Sequence, residues 1–346
     1  MSALLTEVES AFSPDGPLAA AITSFRARPQ QLEMARRIAE AVSGAKALVA
    51  EAGTGTGKTF AYLVPALLSG GKVIVSTGTK TLQDQLFTKD IPTVRAALGV
   101  PVQIALLKGR ANYVCHYHLA RAIEEGRFIQ REDVGYARTV SRFVMGSKTG
   151  DKAECAGVPE DSTVWPLVTS TRDNCLGQEC PHHKECFVMA ARREAMAADV
   201  VVVNHHLFFA DVMLRDEGMA ELLPSCNTVI FDEAHQLPET AQLFFGQGFS
   251  TAQIIDLVRD SRNEGLSGAR DCLDLQEHCR GVDKSARDLR LVVGQDSARY
   301  NLATLLGFDN FDDALDKLES SLQVLTAVLE TQAARSEGLE RCWQRS

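Results

Sequence analysis

Residues 51–59, EAGTGTGKT, constrain this chain more than any other stretch. An apolar run at 47–50 precedes them, and Phe60, Leu63, Val64, Leu67 and Leu68 follow at helical spacing, so the segment reads strand, loop, helix. The backbone N–H groups of such a loop, together with the N-terminus of the helix, cradle phosphate. Gly53, Thr54, Gly55, Thr56 and Gly57 would line that cradle, Lys58 would reach the β and γ oxygens of ATP, and the Thr59 hydroxyl would ligate Mg2+. The string departs from the P-loop pattern at one point, Ala52 in place of its first glycine. A glycine-rich turn that binds nothing is the alternative, and it does not call for a strand before and a helix after.

A second signal, TVIFDEAHQLPE at 228–239, brings Asp232 and Glu233 to the end of a β-branched apolar run. The C-terminal edge of a parallel sheet is where α/β proteins place their chemistry. Asp232 would hold Mg2+, Glu233 would orient and polarise an attacking water, and His235 would relay nucleotide state to a nucleic-acid site. A D-E-x-H tetrapeptide alone is weak, but downstream of a P-loop it is specific.

The length, 346 residues, exceeds one ordinary core and implies two or three domains. With 45% hydrophobic and 23% charged residues the chain reads as soluble and folded. No basic segment opens it and no apolar run approaches a membrane span, so neither secretion nor membrane insertion is expected. Nine cysteines without a secretory signal read as thiols or ligands in a reducing compartment, hence a cytoplasmic protein.

The net charge of −9 is unevenly spread. Residues 108–152 hold nine Lys/Arg against five Asp/Glu, with Tyr113, Tyr117, Phe128, Tyr136 and Phe143 among them. Basic groups beside aromatic faces suit a single-stranded nucleic acid; a solvated helical face with core aromatics is the plainer alternative. Further on, NCLGQECPHHKEC at 174–186 packs three cysteines around two histidines. Cys115, Cys175, Cys180 and Cys186, with gaps of 59, 4 and 5 residues, make a one-plus-three set that suits a 4Fe–4S cluster, each iron taking one thiolate. Spacing leaves a four-cysteine zinc site open. Cys155 falls outside the pattern, and His182 and His183 read as solvated loop residues.

These segments together resemble superfamily 2 helicases of the DEAH type, within them the XPD-like group in its DinG/YoaA branch, nearer the YoaA members. EAGTGTGKT and FDEAHQLP look like motifs I and II, where alanine at the first P-loop position is a tolerated variant. VIVSTGTKTLQDQL at 73–86 looks like motif Ia, in which Ser76, Thr77, Thr79 and Gln83 would face single-stranded DNA. LLKGRANYVC and ADVVVVNHHLFFAD are similar to the flanks of the group's cluster insertion, and FRARPQQLEM to its adenine-reading segment, with Gln31 as the reading glutamine. The resemblance favours the 4Fe–4S reading of the four cysteines. It implies an α/β RecA-like P-loop domain at 1–110, an iron–sulfur insertion at 111–190, a return to the RecA-like domain at 191–247 and a partial helical Arch domain at 248–346.

From about residue 248 the pattern is helical. Leu315, Leu318, Leu322, Leu325 and Leu329 form a packing seam, and EGLSGARD at 264–271 is the expected loop between helices. No second RecA-like domain follows, so the chain is expected to be the front half of a longer protein. The family activity is ATP-driven, 5′ to 3′ movement on single-stranded or forked DNA in repair or replication rescue, with replication or repair proteins as further partners and no oligomer indicated. The alternative is a non-hydrolysing iron–sulfur module that binds nucleic acid and senses damage or redox state. This chain is expected to bind ATP and DNA but not to unwind alone.

Overall fold

Two β-branched runs, VIVST and VVVVN, lie at the centre of the fold because strands covered on both faces need apolar side chains on both. They are β1, Val73–Thr77, and β3, Val200–Asn204. With β2, Ile104–Leu106, and β4, Thr228–Phe231, they form a four-stranded parallel sheet in the order β2-β3-β1-β4. In register, Ser76 of β1 lies between Val203 of β3 and Phe231 of β4. The structure is a computed structural model and describes residues 3–346 apart from 24, 127, 129, 172–173, 217, 219–220, 246–249, 295–299 and 301. It divides into two units, 1–246 and 247–346.

In the first unit one hydrophobic cluster joins the helices Ala3–Ala11, Pro29–Ser43 and Lys58–Leu68 to one face of the sheet through Phe12, Ala35, Leu63, Val75 and Val202. Ile74, Leu107, Val201 and Val203 pack in a second cluster on the other face. The stretch between β2 and β3 builds its own small core from Val114, Val140, Val164, Trp165 and Val168. It is tied to the chain entering it by bridges pairing Tyr113 with Asp151 and Val114 with Thr169.

The second unit is helical among its described residues: Thr251–Gly268, Leu273–Val293, Phe311–Gln332 and Glu337–Arg345 are its main helices. Leu318, Leu325 and Leu329 of the seam are buried, with Leu315 and Leu322 packed beside them. No described helix is long and apolar enough to cross a membrane.

Two local expectations fail. Residues 47–50 form no strand, and Val49 is 98% exposed. An apolar run becomes a strand only where a partner edge takes its backbone groups, and this one is laid against none. The expected loop at 264–271 is helix as far as Gly268. Gly265 is a contact rather than a breaker, since a Cβ there would lie 2.7 Å from Leu275 Cδ2 of the next helix.

Candidate functional site

The P-loop turns on glycine. Gly55 has φ 78° and Gly57 φ 85°, both left-handed, and Gly57 is the N-cap of the helix Lys58–Leu68. Gln31 Nε2 donates to the Gly57 carbonyl at 3.0 Å, and a Cβ on Gly57 would fall 2.2 Å from that nitrogen. Gln31, read as an adenine contact, is thus buried against the P-loop itself. Thr56 Oγ1 donates to the Gly53 carbonyl at 2.8 Å and closes the loop on itself.

The DEAH segment arrives from β4. Asp232 N–H donates to the Ser76 carbonyl at 2.8 Å, which fixes the start of the turn to β1. Glu233 then takes φ 55°, a left-handed value unusual for a side chain larger than glycine and one that recurs at functional turns. Tyr62 OH donates to Asp232 Oδ2 at 3.2 Å, and Lys58 Nζ lies 4.0 Å from Glu233 Oε1. Burial, then the charge of Glu233, pushes the Asp232 carboxyl above the ordinary range, while Tyr62 and Lys58 pull it back. Burial and then Asp232 drive the Tyr62 phenol far up, so it stays a donor. His235 is largely exposed, its Nδ1 3.4 Å from Glu233 Oε2.

The structure therefore gathers Lys58, Asp232 and Glu233 at one place and brings Gln31 to the P-loop. It treats the other expected contacts differently. Ser76, Thr77 and Gln83 are buried; Gln83 Nε2 donates to the carbonyls of Leu107 and Val202 across the sheet. Only Thr79 of that set is exposed, and its side chain caps the helix Lys80–Gln85 by accepting from Leu82 N–H. Tyr62, one turn beyond Lys58, and His205, at the end of β3, were missed by motif reading. No spacing marks either residue: their partners, Asp232 for Tyr62 and Ser76 for His205, lie 170 and 129 residues away along the chain.

The basic insertion is less open than its composition implies. Lys108 is 4% exposed and paired with Asp84 at 2.6 Å and Asp151 at 2.7 Å. Tyr113 is buried, and Phe128, Tyr136 and Phe143 pack on the small core, which favours the plainer reading for these aromatics. Tyr117 differs: Arg121 lies over its ring at 5.7 Å.

Cys115, Cys175, Cys180 and Cys186 line one cavity of about 100 Å³, with Arg110 and Arg192 in its wall. Cys115 is the N-cap residue of the helix His116–Glu125 and Cys186 that of Phe187–Ala197, neither making a side-chain capping hydrogen bond. Burial pushes the Cys115 thiol up; the backbone of His118 and Tyr117 opposes this, and Cys180 and Cys186 add to it. Among the described residues no three His, Cys, Asp or Glu side chains gather closely enough to hold a single metal ion. Cys155 does not line the cavity and is buried in the small core beside it.

A family model of the DEAD/DEAH box helicases matches residues 28–113. The chain is 44% identical over 335 residues to the ATP-dependent DNA helicase YoaA of Escherichia coli (strain K12), a match covering 97% of this chain and 53% of the relative. It is 36% identical over 243 residues to the ATP-dependent helicase DinG of Mycobacterium tuberculosis (strain ATCC 25618 / H37Rv), covering 64% of this chain and 36% of that one. A solved structure titled Truncated XPD is 18% identical with a TM-score of 0.37, covering 84% of this chain and 76% of its own. The chain spans about half the length of the YoaA relatives it matches.

Proposed function

Because the chain belongs to the DinG/YoaA branch of the XPD-like helicases, we propose that it is the ATP-binding part of an ATP-dependent DNA helicase. The observation that carries this reading is the meeting of two segments 170 residues apart, Tyr62 with Asp232. Lys58 beside them, at the mouth of a helix N-terminus, supplies positive charge where the β and γ phosphates of ATP would rest. Thr59 and Asp232 offer the hydroxyl and carboxylate that Mg2+ takes in such sites, and the desolvated Asp232 would be relieved by a cation. Glu233 would orient and polarise the water that attacks the γ-phosphoryl group.

The four thiols on one cavity fit a 4Fe–4S cluster with one cysteine per iron. Bound there, such a group would tie the start of the insertion, at Cys115, to its end, at Cys175, Cys180 and Cys186, and would supply a one-electron redox couple. Cys115 and Cys186, at the starts of two helices, would offer two of its four ligands. Single-stranded or forked DNA is the polymer acted on, with 5′ to 3′ movement in repair or replication rescue, and the cytoplasm is the setting.

Equilibrium titration with a fluorescent ATP analogue tests the reading. Wild-type chain should bind it in Mg2+, and Lys58→Ala should weaken binding at least about tenfold, the cost of one charge-assisted contact to phosphate. Equal binding by the two proteins would remove the basis for a P-loop nucleotide site.

A further inference from the structure

His205 is 1% exposed, at the junction of β3 and the helix His205–Asp216, and none of the expected nucleotide or cluster contacts uses it. Its Nδ1 lies 2.7 Å from Ser76 Oγ. Ser76 is the same residue whose carbonyl accepts Asp232 N–H. One residue of β1 thus holds the DEAH turn by its backbone and His205 by its side chain. The imidazole also lies 6.0 Å from the ring of Phe231, the residue before Asp232.

The other ring nitrogen, Nε2, is buried without a hydrogen-bond partner. A buried ring nitrogen left without a partner is costly and calls for an explanation. The backbone of Asp232 and Glu233 is near enough to offset part of the burial that lowers the ring's pKa, yet closes no hydrogen bond with it. The N–H of Asp232 is spent on Ser76, and that of Glu233 faces the Asp232 carboxylate. What the turn can offer His205 is therefore carbonyl oxygen. If Ser76 O–H donates to Nδ1, the neutral ring carries its proton on Nε2, and the donor faces acceptors.

We propose that His205 is a positioning residue for the DEAH turn: its Nε2–H takes a carbonyl of the Asp232–Glu233 turn when Mg2+–nucleotide binds, and so fixes Asp232 for the metal. The inference rests on the nucleotide-site reading above. It assigns Ser76 an internal task, orienting the imidazole, in place of a contact to DNA. The left-handed Glu233 gives the turn a conformation from which a small backbone rotation moves a carbonyl.

The test is the ratio of nucleotide Kd without Mg2+ to Kd with Mg2+, a quantity that a merely structural role would not move, because it would change both constants together. His205→Asn keeps a polar atom near the Nδ1 position and loses the Nε2 donor, whereas His205→Gln reaches the Nε2 position with an amide N–H. The ratio should fall about tenfold in His205→Asn, as expected for one lost hydrogen bond, and stay near wild type in His205→Gln, with metal-free affinity unchanged in both. An unchanged ratio in His205→Asn, or loss of metal-free binding in step with Mg2+ binding, overturns the inference. If His205→Asn does not fold, Ser76→Ala decides instead, since it removes the hydroxyl and keeps the carbonyl; an unmoved ratio there is equally decisive against it. Failure of wild-type chain to bind nucleotide at all would overturn the nucleotide-site reading and this inference with it, whereas normal Mg2+-linked binding with unmoved variants overturns this inference alone.

Discussion

Tyr62 lies one turn into the P-loop helix, and its hydroxyl meets Asp232. The bond favours the ionised carboxylate, so Tyr62→Phe should destabilise the nucleotide-free chain near neutral pH by on the order of 1 kcal/mol, discounted for the partial exposure of Asp232. The sign follows from the ionised form: the gap between wild type and variant should be full above the Asp232 pKa and narrow as pH falls through it. Burial and Glu233 have moved that pKa above the ordinary carboxylate value, so narrowing should begin earlier than for an exposed aspartate. Thermal melts across that range read it; a gap that widens on acidification would show that the phenol serves something else. Lys58, Asp232 and Glu233 were legible as motif positions, because the chemistry of phosphate demands those types there. Tyr62 and His205 were not, because their tasks are set by what the fold lays beside them.

The loop between β2 and the cluster insertion hangs on Lys108. Burial works against its charge, but hydrogen bonds to Asp151 and Asp84 outweigh it and hold its pKa above the usual lysine value. A raised lysine contributes stability that is complete below the unfolded pKa of about 10.4 and is lost only as pH climbs through the folded value. Lys108→Met should cost about 3–5 kcal/mol, chiefly by leaving Asp151 buried without its cation, and the cost should be constant through neutral and mildly alkaline pH. Denaturant melts at several pH values check this, and a cost that vanishes below pH neutrality would contradict it. Gly265→Ala sets two effects against each other: about 1 kcal/mol gained in helix propensity and about 1–3 kcal/mol lost to overpacking against Leu275. The packing cost should win and lower the melting temperature with helix content unchanged by circular dichroism; a rise would mean the two helices part easily. Glycine in EGLSGARD was taken as a breaker because the sequence does not show a neighbouring helix pressing on it.

Across the chain, the four cavity cysteines should behave as one set. Anaerobically purified protein should carry about four irons and broad visible absorption, as a 4Fe–4S cluster requires. Cys115→Ser, Cys175→Ser, Cys180→Ser and Cys186→Ser should each lose the colour, and Cys155→Ser should keep it. Colourless protein with one bound zinc would instead support the four-cysteine zinc site. Affinity for single-stranded DNA should fall as salt rises, because phosphate contacts release counterions. With Lys108 sequestered, Lys108→Met should change the steepness of that fall little, while changing Arg121, over the partly exposed Tyr117, should lessen it.

The motif strings were readable in one dimension, since glycine, lysine and carboxylate at those spacings answer to the chemistry of phosphate, and the four cysteines picked out by their spacing do line one cavity. The helical nature of the second unit, among its described residues, was readable too, because apolar spacing reports a buried stripe. Contacts made across the chain were not readable: which edge, if any, takes 47–50, the inward turn of Ser76, Gln83 and Lys108, and the ring of His205 under the DEAH turn. Each depends on the same physical fact. A buried polar group must find its partner inside the protein, and the partners here, Asp84 and Asp151 for Lys108 and Ser76 for His205, come from elsewhere in the chain and meet only when the sheet assembles.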